Sequence, residues 1–282
     1  MHILFKQLSL LLLIITGQFA IAGVAFNKEP AIEKYFSKKG IPVNVHSDTI
    51  QGWEVRYIET YLTENNDNLV FLLHGAKSEA MKFRKILSDT MILNHARIVA
   101  LDRPGYGGSS SGEAMISIEQ QTEIVARVLD QFSFKTCILV GHSYGAAIVA
   151  NYASKHPEKD LKLIMLAPAI DPELEVIFVP KRIKENGSIL ENLPKKFQVA
   201  TLENYAHKKE LEKILDIWGR LAIPVYHLHG GRDMIISDKN IDFSKENIDP
   251  QYLTTELLEN DGHALLLFRP GKIASLIMKM LE

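Results

Sequence analysis

The chain has 282 residues, 46% hydrophobic and 23% charged, with 17 Gly and 11 Pro. This composition excludes a disordered or collagen-like chain, and the length suits one large α/β domain or two small ones. Lys and Arg number 32 against 34 Asp and Glu, so there is neither a basic footprint for nucleic acid nor an acidic tail. The single cysteine, Cys137, leaves no intramolecular disulfide and no Cys-rich metal site, and its neighbours Ile138, Leu139 and Val140 mark it as apolar filler in a buried strand.

Lys6, the apolar run over 8–16 and the small-x-small triplet Ala20-Ile21-Ala22 have the three-part form of a secretory signal. Residues 1–22 are therefore read as a signal peptide cleaved after Ala22, and 23–282 as the mature domain of a secreted or periplasmic protein. No charge occurs between Lys6 and Lys28, so a membrane anchor over 7–27 is the alternative. Gln7, Thr16, Gly17 and Gln18 dilute the run and favour cleavage; membrane association is expected only if the segment is retained.

Past this leader, short apolar runs alternate with amphipathic stretches, the pattern of βαβ units. Trp53 to Tyr61 alternates as a strand, Asn65-Asn66-Asp67-Asn68 is a turn, and Leu69 to Leu73 is a buried strand ending at His74-Gly75. A helix is predicted over about Ser78 to Thr90, a strand over Arg97 to Leu101, and a Gly-rich loop over Asp102 to Gly112. Ile118, Ile124, Val125, Val128 and Leu129 share one face of a helix over Ile116 to Phe132. Then come a strand over Thr136 to Val140, a helix over Tyr144 to Lys155 stopped at His156-Pro157, and a strand over Leu161 to Leu166. Strands over Pro224 to Leu228 and Tyr252 to Leu258 precede a last helix over about Gly271 to Leu281.

The alternation lapses over about 171–206, which holds Pro172, Pro180, Pro194, an Asn186-Gly187 turn signal and four lysines. An insertion here roofs the C-terminal edge of a parallel sheet, where open α/β sheets bind ligands; a plain surface subdomain is the other reading.

Gly141-His142-Ser143-Tyr144-Gly145 fits G-x-S-x-G, a strand-to-helix turn that holds a serine hydroxyl clear of the sheet. Gly108-Ser109-Ser110-Ser111-Gly112 fits the same five letters. Only Ser143 has an apolar strand before it and the small helix start Ala146-Ala147 after it, and Gly141 and Gly145 let the turn close without Cβ clashes. A serine nucleophile needs a base and the base an orienting acid, in the order Ser, acid, His. His263, in Asp261-Gly262-His263, lies between the last strand and the last helix and is the only His beyond residue 229. Asp233 follows the strand over 224–228, and Asp171, just past the strand over 161–166, is its rival. His74 precedes the serine and is read as shaping its loop. The backbone amides of Ala76 and Tyr144 are the candidate donors to an oxyanion.

In these pieces the chain resembles the α/β-hydrolase family over about Trp53 to Leu281. They are His74-Gly75, Asp102-Arg103-Pro104-Gly105-Tyr106-Gly107-Gly108-Ser109, the elbow, His229-Gly230-Gly231-Arg232-Asp233 and Asp261-Gly262-His263, in family order. The resemblance implies an α/β fold with a mostly parallel eight-stranded sheet, helices on both faces, a short cap insertion at about 171–206, a serine nucleophile and no cofactor. The epoxide hydrolase and haloalkane dehalogenase branches carry Asp at the nucleophile position, so Ser143 argues against both. The cap is short beside that of many lipases, which argues against long-chain triacylglycerol.

These readings converge on a serine hydrolase of small-molecule carboxylic esters or thioesters, with Ser143, Asp233 and His263 catalytic and no metal required. Peptidase, perhydrolase and carbon–carbon hydrolase chemistry use the same constellation. A non-enzymatic binding or receptor protein on this scaffold is the alternative from another class; such a protein is expected to have lost a triad member, and all three are present.

Overall fold

Leu69 to Leu73 has no polar face, as expected of a strand covered on both sides. A computed structural model describes residues 28–282 apart from 64, 65, 111, 181, 182, 184 and 186. The signal-peptide and anchor readings fall on 1–27, outside the described residues. The strands are β1 (Val43–Ile50), β2 (Trp53–Thr60), β3 (Asn68–Leu73), β4 (Arg97–Leu101), β5 (Thr136–His142), β6 (Asp160–Leu166), β7 (Val225–Gly230) and β8 (Leu253–Leu258). They form one sheet in the order β1-β2-β4-β3-β5-β6-β7-β8. β2 is antiparallel to both β1 and β4, and every other pairing is parallel.

The longer helices are α1 (Glu29–Ser37), α2 (Ile118–Leu129), α3 (Tyr144–Lys155), α4 (Lys195–Lys213), α5 (Asn240–Asn247) and α6 (Pro270–Leu281). Alternate residues of β3 feed two separate cores. Leu69, Phe71 and Leu73 pack with Ile118, Val125 and Val128 of α2 and Ile148 of α3, whereas Val70 and Leu72 pack with Ile32 and Phe36 of α1 and Ile273 and Ile277 of α6. Fully burying a side chain of this size is worth about 1.5–3 kcal/mol, which is why an apolar strand is stable only between two helical layers.

Three differences from the sequence expectation have local causes. The helix predicted over about 78–90 is broken into a 3-10 turn, Ala80–Phe83, and two short helical turns, Arg84–Leu87 and Thr90–Leu93. Asp89 restarts the helix by accepting the amides of Met91 and Ile92 at 3.0 and 3.3 Å. β1 is half exposed and polar in sequence, so its extended form comes from pairing with β2 through a two-residue turn in which Gln51 and Gly52 have φ of 52° and 84°. In the interval between β6 and β7, α4 continues beyond residue 206. Its buried residues, including Val199, Glu203, His207 and Leu211, are interspersed with exposed lysines, which hid the helix from a reading based on apolar spacing.

Candidate active site

β5 ends at His142 and α3 begins at Tyr144, so Ser143 turns the chain alone, at φ 53° and ψ −122°. A non-glycine residue held there is strained by about 1–3 kcal/mol. The Ser143 amide donates to Leu166 O at 2.9 Å, and its carbonyl accepts from the Ala146 amide at 3.1 Å, fixing the turn between two strands and a helix. A Cβ on Gly145 would lie 2.6 Å from Leu73 O, so only glycine lets α3 start this close to β3. Ser110, the other G-x-S-x-G serine, is tied to β2, its Oγ accepting from the Glu54 amide at 2.9 Å.

His263 Nδ1 donates to Asp233 Oδ2 at 2.7 Å. The Asp233 side chain is wholly buried, and its Oδ1 accepts the amides of Ile235 and Ile236 at 2.8 and 2.9 Å. Burial alone would raise the Asp233 pKa; hydrogen bonds from His229 and His263 outweigh it and hold the carboxyl well below its ordinary value, ionised at neutral pH. Asp171 is occupied elsewhere, as the cap of the 3-10 turn Pro172–Leu174, accepting from the Glu173 amide at 2.8 Å. The structure therefore brings Asp233 to His263 and leaves Asp171 out.

Two histidines that sequence reasoning passed over adjoin this pair. His142 Nε2 donates to the His263 carbonyl at 3.1 Å, with the rings 4.8 Å apart. Burial pushes its pKa down to about 3, so it stays neutral and places no second cation beside His263. Its place before Ser143 was the available signal. His229, the final histidine of the β7 run His227-Leu228-His229, lies 3.5 Å from Asp233 Oδ2.

β3 pairs with β5 in the register Leu73↔Gly141, so His74-Gly75-Ala76 leaves the sheet directly beside the elbow. His74 is buried, with Nδ1 donating to Gly75 O at 2.7 Å and Nε2 accepting the Arg103 amide at 3.0 Å. Both ring nitrogens are thus used in fixing the loop. Ala76 and Tyr144 line the same cavity as Ser143 and His263. Tyr144 opens α3, where the first amides lack intrahelical acceptors and carry the positive end of the helix dipole.

The cavity has a volume of about 180 Å³ and is roofed partly by α4. Buried Arg103 joins the roof to the body, donating to both Glu203 carboxylate oxygens at 2.7 and 3.1 Å and to Gln121 Oε1 at 2.8 Å. Tyr106 OH adds a 2.5 Å bond to Glu203. The loop bearing Arg103 is itself pinned by Asp102, which accepts from Arg56 Nε at 2.7 Å and from the Ala80 amide at 2.7 Å. His207 stacks on Tyr144 with the rings 4.2 Å apart and pairs with Glu175 at 2.8 Å. Among the described residues no group of three or more His, Cys, Asp or Glu could hold a metal ion, and no helix is long and apolar enough to cross a membrane.

Residues 68–186 match the family model described as the alpha/beta hydrolase fold. The chain is 29% identical over 178 residues to the uncharacterized hydrolase YugF of Bacillus subtilis (strain 168), covering 61% of this chain and 64% of that one. It is 31% identical over 126 residues to a probable 1-acylglycerol-3-phosphate O-acyltransferase of Oryza sativa subsp. japonica, covering 41% of this chain and 29% of that one. It thus spans less than two thirds of the length of these curated relatives. Among solved structures, a membrane phospholipase A described as a bacterial virulence factor superposes with a TM-score of 0.68 at 22% identity, covering 100% of this chain and 98% of that one. The eight-stranded, mostly parallel sheet is that of the α/β-hydrolase fold, and residues 68–186 carry the sequence match to it.

Proposed function

We propose that this α/β hydrolase cleaves carboxylic esters or thioesters through an acyl-enzyme on Ser143. The observation that carries the reading is the 2.7 Å contact of His263 Nδ1 with buried Asp233, in a cavity that His263 shares with Ser143 at its strained elbow. In this scheme His263 Nε2 takes the Ser143 proton as Oγ attacks the carbonyl carbon. Asp233 stabilises the imidazolium, and the amides of Ala76 and Tyr144 receive the charge on the carbonyl oxygen. The imidazolium then protonates the departing alcohol or thiol, and a water activated by the same histidine releases the acid. Serine at the elbow favours this route over dehalogenation or epoxide opening, for which the family uses Asp. The names of two relatives, a phospholipase A and an acylglycerol-phosphate acyltransferase, agree with chemistry at an acyl ester.

The cavity is smaller than the roughly 300 Å³ at which drug-sized pockets begin, which favours short or medium acyl groups. Val176, Ile177 and Phe178 from the cap segment and Met234 and Ile235 after β7 are exposed, and Phe178 and Ile235 also line the cavity. An apolar mouth of this kind suits an acyl chain better than a charged peptide. We further propose that residues 171–206 form the cap of one domain spanning 23–282, and that the apolar leader directs export. Treatment with a fluorophosphonate probe followed by mapping of the adduct tests the central reading. Labelling of Ser143, lost in Ser143→Ala and kept in Ser110→Ala, is expected; labelling at Ser110 or none at all overturns it.

A further inference from the structure

The charged side chains lining the cavity are answered within the protein, with one exception. Glu203 is held by Arg103 and Tyr106, Glu175 by His207, and His263 by Asp233. Lys77 also lines the cavity, immediately after Ala76. Among the described residues no carboxylate lies within ion-pair distance of its ammonium. Its neighbour is the ring of Phe197, another cavity residue, with Nζ 5.9 Å from the ring centroid. Lys196 Nζ approaches the same ring at 5.8 Å. The charge of Lys196 is met in part by Glu79, whereas no charged group among the described residues acts on Lys77. The backbone of Lys77 has φ of 56°, a left-handed conformation that costs any residue with a Cβ.

We propose that Lys77 forms an anion subsite, and that the natural ester carries a negatively charged group, a carboxylate or a phosphate, that pairs with it. Lys77 is exposed at the cavity wall, and with no carboxylate among the described residues paired to it the ammonium is open to an anionic group of the substrate. The subsite adjoins Ala76, so an anion on it sits near the reacting carbonyl and orients the ester as well as holding it. Phe197 gives Lys77 an apolar, electron-rich neighbour in the cavity wall that does not neutralise its charge. This inference rests on the ester-hydrolase reading for its consequence in turnover, but the anion site itself can be measured without any chemistry.

Two substrate pairs separate the sources of the anion. Mono-p-nitrophenyl glutarate against p-nitrophenyl valerate places a carboxylate on the acyl side, and 1-butyrylglycerol 3-phosphate against 1-butyrylglycerol places a phosphate on the alcohol side. A charge-assisted contact of this type corresponds to about a tenfold or greater preference in kcat/KM for the anionic member of one pair, carried mainly by KM. The ratio of anionic to neutral kcat/KM is expected to fall to about one in Lys77→Met and to persist in Lys77→Arg. Preference for the neutral member in both pairs, or a ratio unchanged in Lys77→Met, overturns the proposal; Lys77→Gln replaces Lys77→Met if the latter does not fold. A second arm titrates glutarate and glycerol 3-phosphate into Ser143→Ala protein by calorimetry. Binding of one of them that disappears in Ser143→Ala/Lys77→Met supports the subsite even if no ester is turned over, and absence of binding by both refutes it. Failure of fluorophosphonate labelling, by contrast, refutes only the ester-hydrolase reading.

Discussion

Nε2 of His229 lies 3.5 Å from Oδ2 of Asp233, the oxygen that His263 Nδ1 reaches at 2.7 Å. The other partner of His229 Nε2 is the carbonyl of Ile236 at 3.2 Å. Both partners only accept, so Nε2 carries the hydrogen and, in the neutral ring, Nδ1 is an acceptor. His227 Nε2, 3.1 Å away, therefore donates to it, and Ser244 Oγ donates to His227 Nδ1 at 2.8 Å. Burial keeps His227 neutral, with the nearby charge of Lys245 acting in the same direction. A buried chain of donors thus ends on the acid that orients His263.

Removing that chain should change the pH profile. In His229→Phe, Asp233 Oδ2 loses a donor, its negative charge is less satisfied, and its attraction for the His263 imidazolium grows. The acid limb of kcat/KM is expected to move to higher pH by several tenths to about one unit, the range set by one net hydrogen bond. Kinetics across the acid limb check this, and an unmoved or downward-shifted limb would show that His229 only packs. His229→Gln, which keeps a donor, should shift it less.

Asp233→Asn and Asp171→Asn should differ sharply. By the triad template, the amide at 233 costs up to about 10⁴ in kcat, because it cannot hold the imidazolium. Asp171 only accepts the Glu173 amide in a surface turn, and its variant should keep near-normal turnover. Assaying both on one short ester at one pH decides the matter; a large loss confined to Asp171→Asn would move the acid.

Three buried histidines should make the fold acid-sensitive. Burial lowers the pKa of His74, His142 and His227, in the case of His142 to about 3. In the unfolded chain each titrates near 6.5, so below that pH the unfolded state binds protons that the folded state refuses. Stability is therefore full above about pH 6.5 and falls as pH drops, approaching about 1.4 kcal/mol per pH unit for each such histidine until its folded pKa is reached. Urea midpoints at pH 7 and pH 5 should show the loss, and replacing His142 with Asn should lessen its steepness.

The Arg103–Glu203 pair should hold the roof in place. Glu203→Ala leaves the Arg103 guanidinium buried without its carboxylate, and breaking a buried pair in this way costs about 3–5 kcal/mol. The expected result is a lower unfolding midpoint together with faster proteolysis within α4, measured by chemical denaturation and limited digestion. Restriction of cleavage to sites outside α4 would mean that the pair stabilises the body alone.

The sequence by itself determined the strands from β3 through β7, because they are short apolar runs whose burial on both faces admits no other use, while β8 is a half-exposed strand at the sheet edge. It also determined the elbow at Ser143 and the positions of Asp233 and His263, since each lies where a strand ends and the chain must turn. Tertiary structure alone decided the rest. Along the chain Asp233 is favoured over Asp171 because it follows the strand nearer the His263 loop, but it is the parallel placement of β7 beside β8 that brings its carboxylate to His263. β1 becomes a strand only because β2 offers it an edge. Glu203 lies 100 residues from Arg103, and neither residue type announces a buried partner so far away. Lys77 is one lysine among many in the sequence, and its missing counter-charge emerges only when Phe197 of α4 is folded over it. Local pattern encodes which surface is buried, because burial follows from each side chain's own transfer free energy. Which charges meet is a pairwise property of distant residues, set by the fold and absent from any local window.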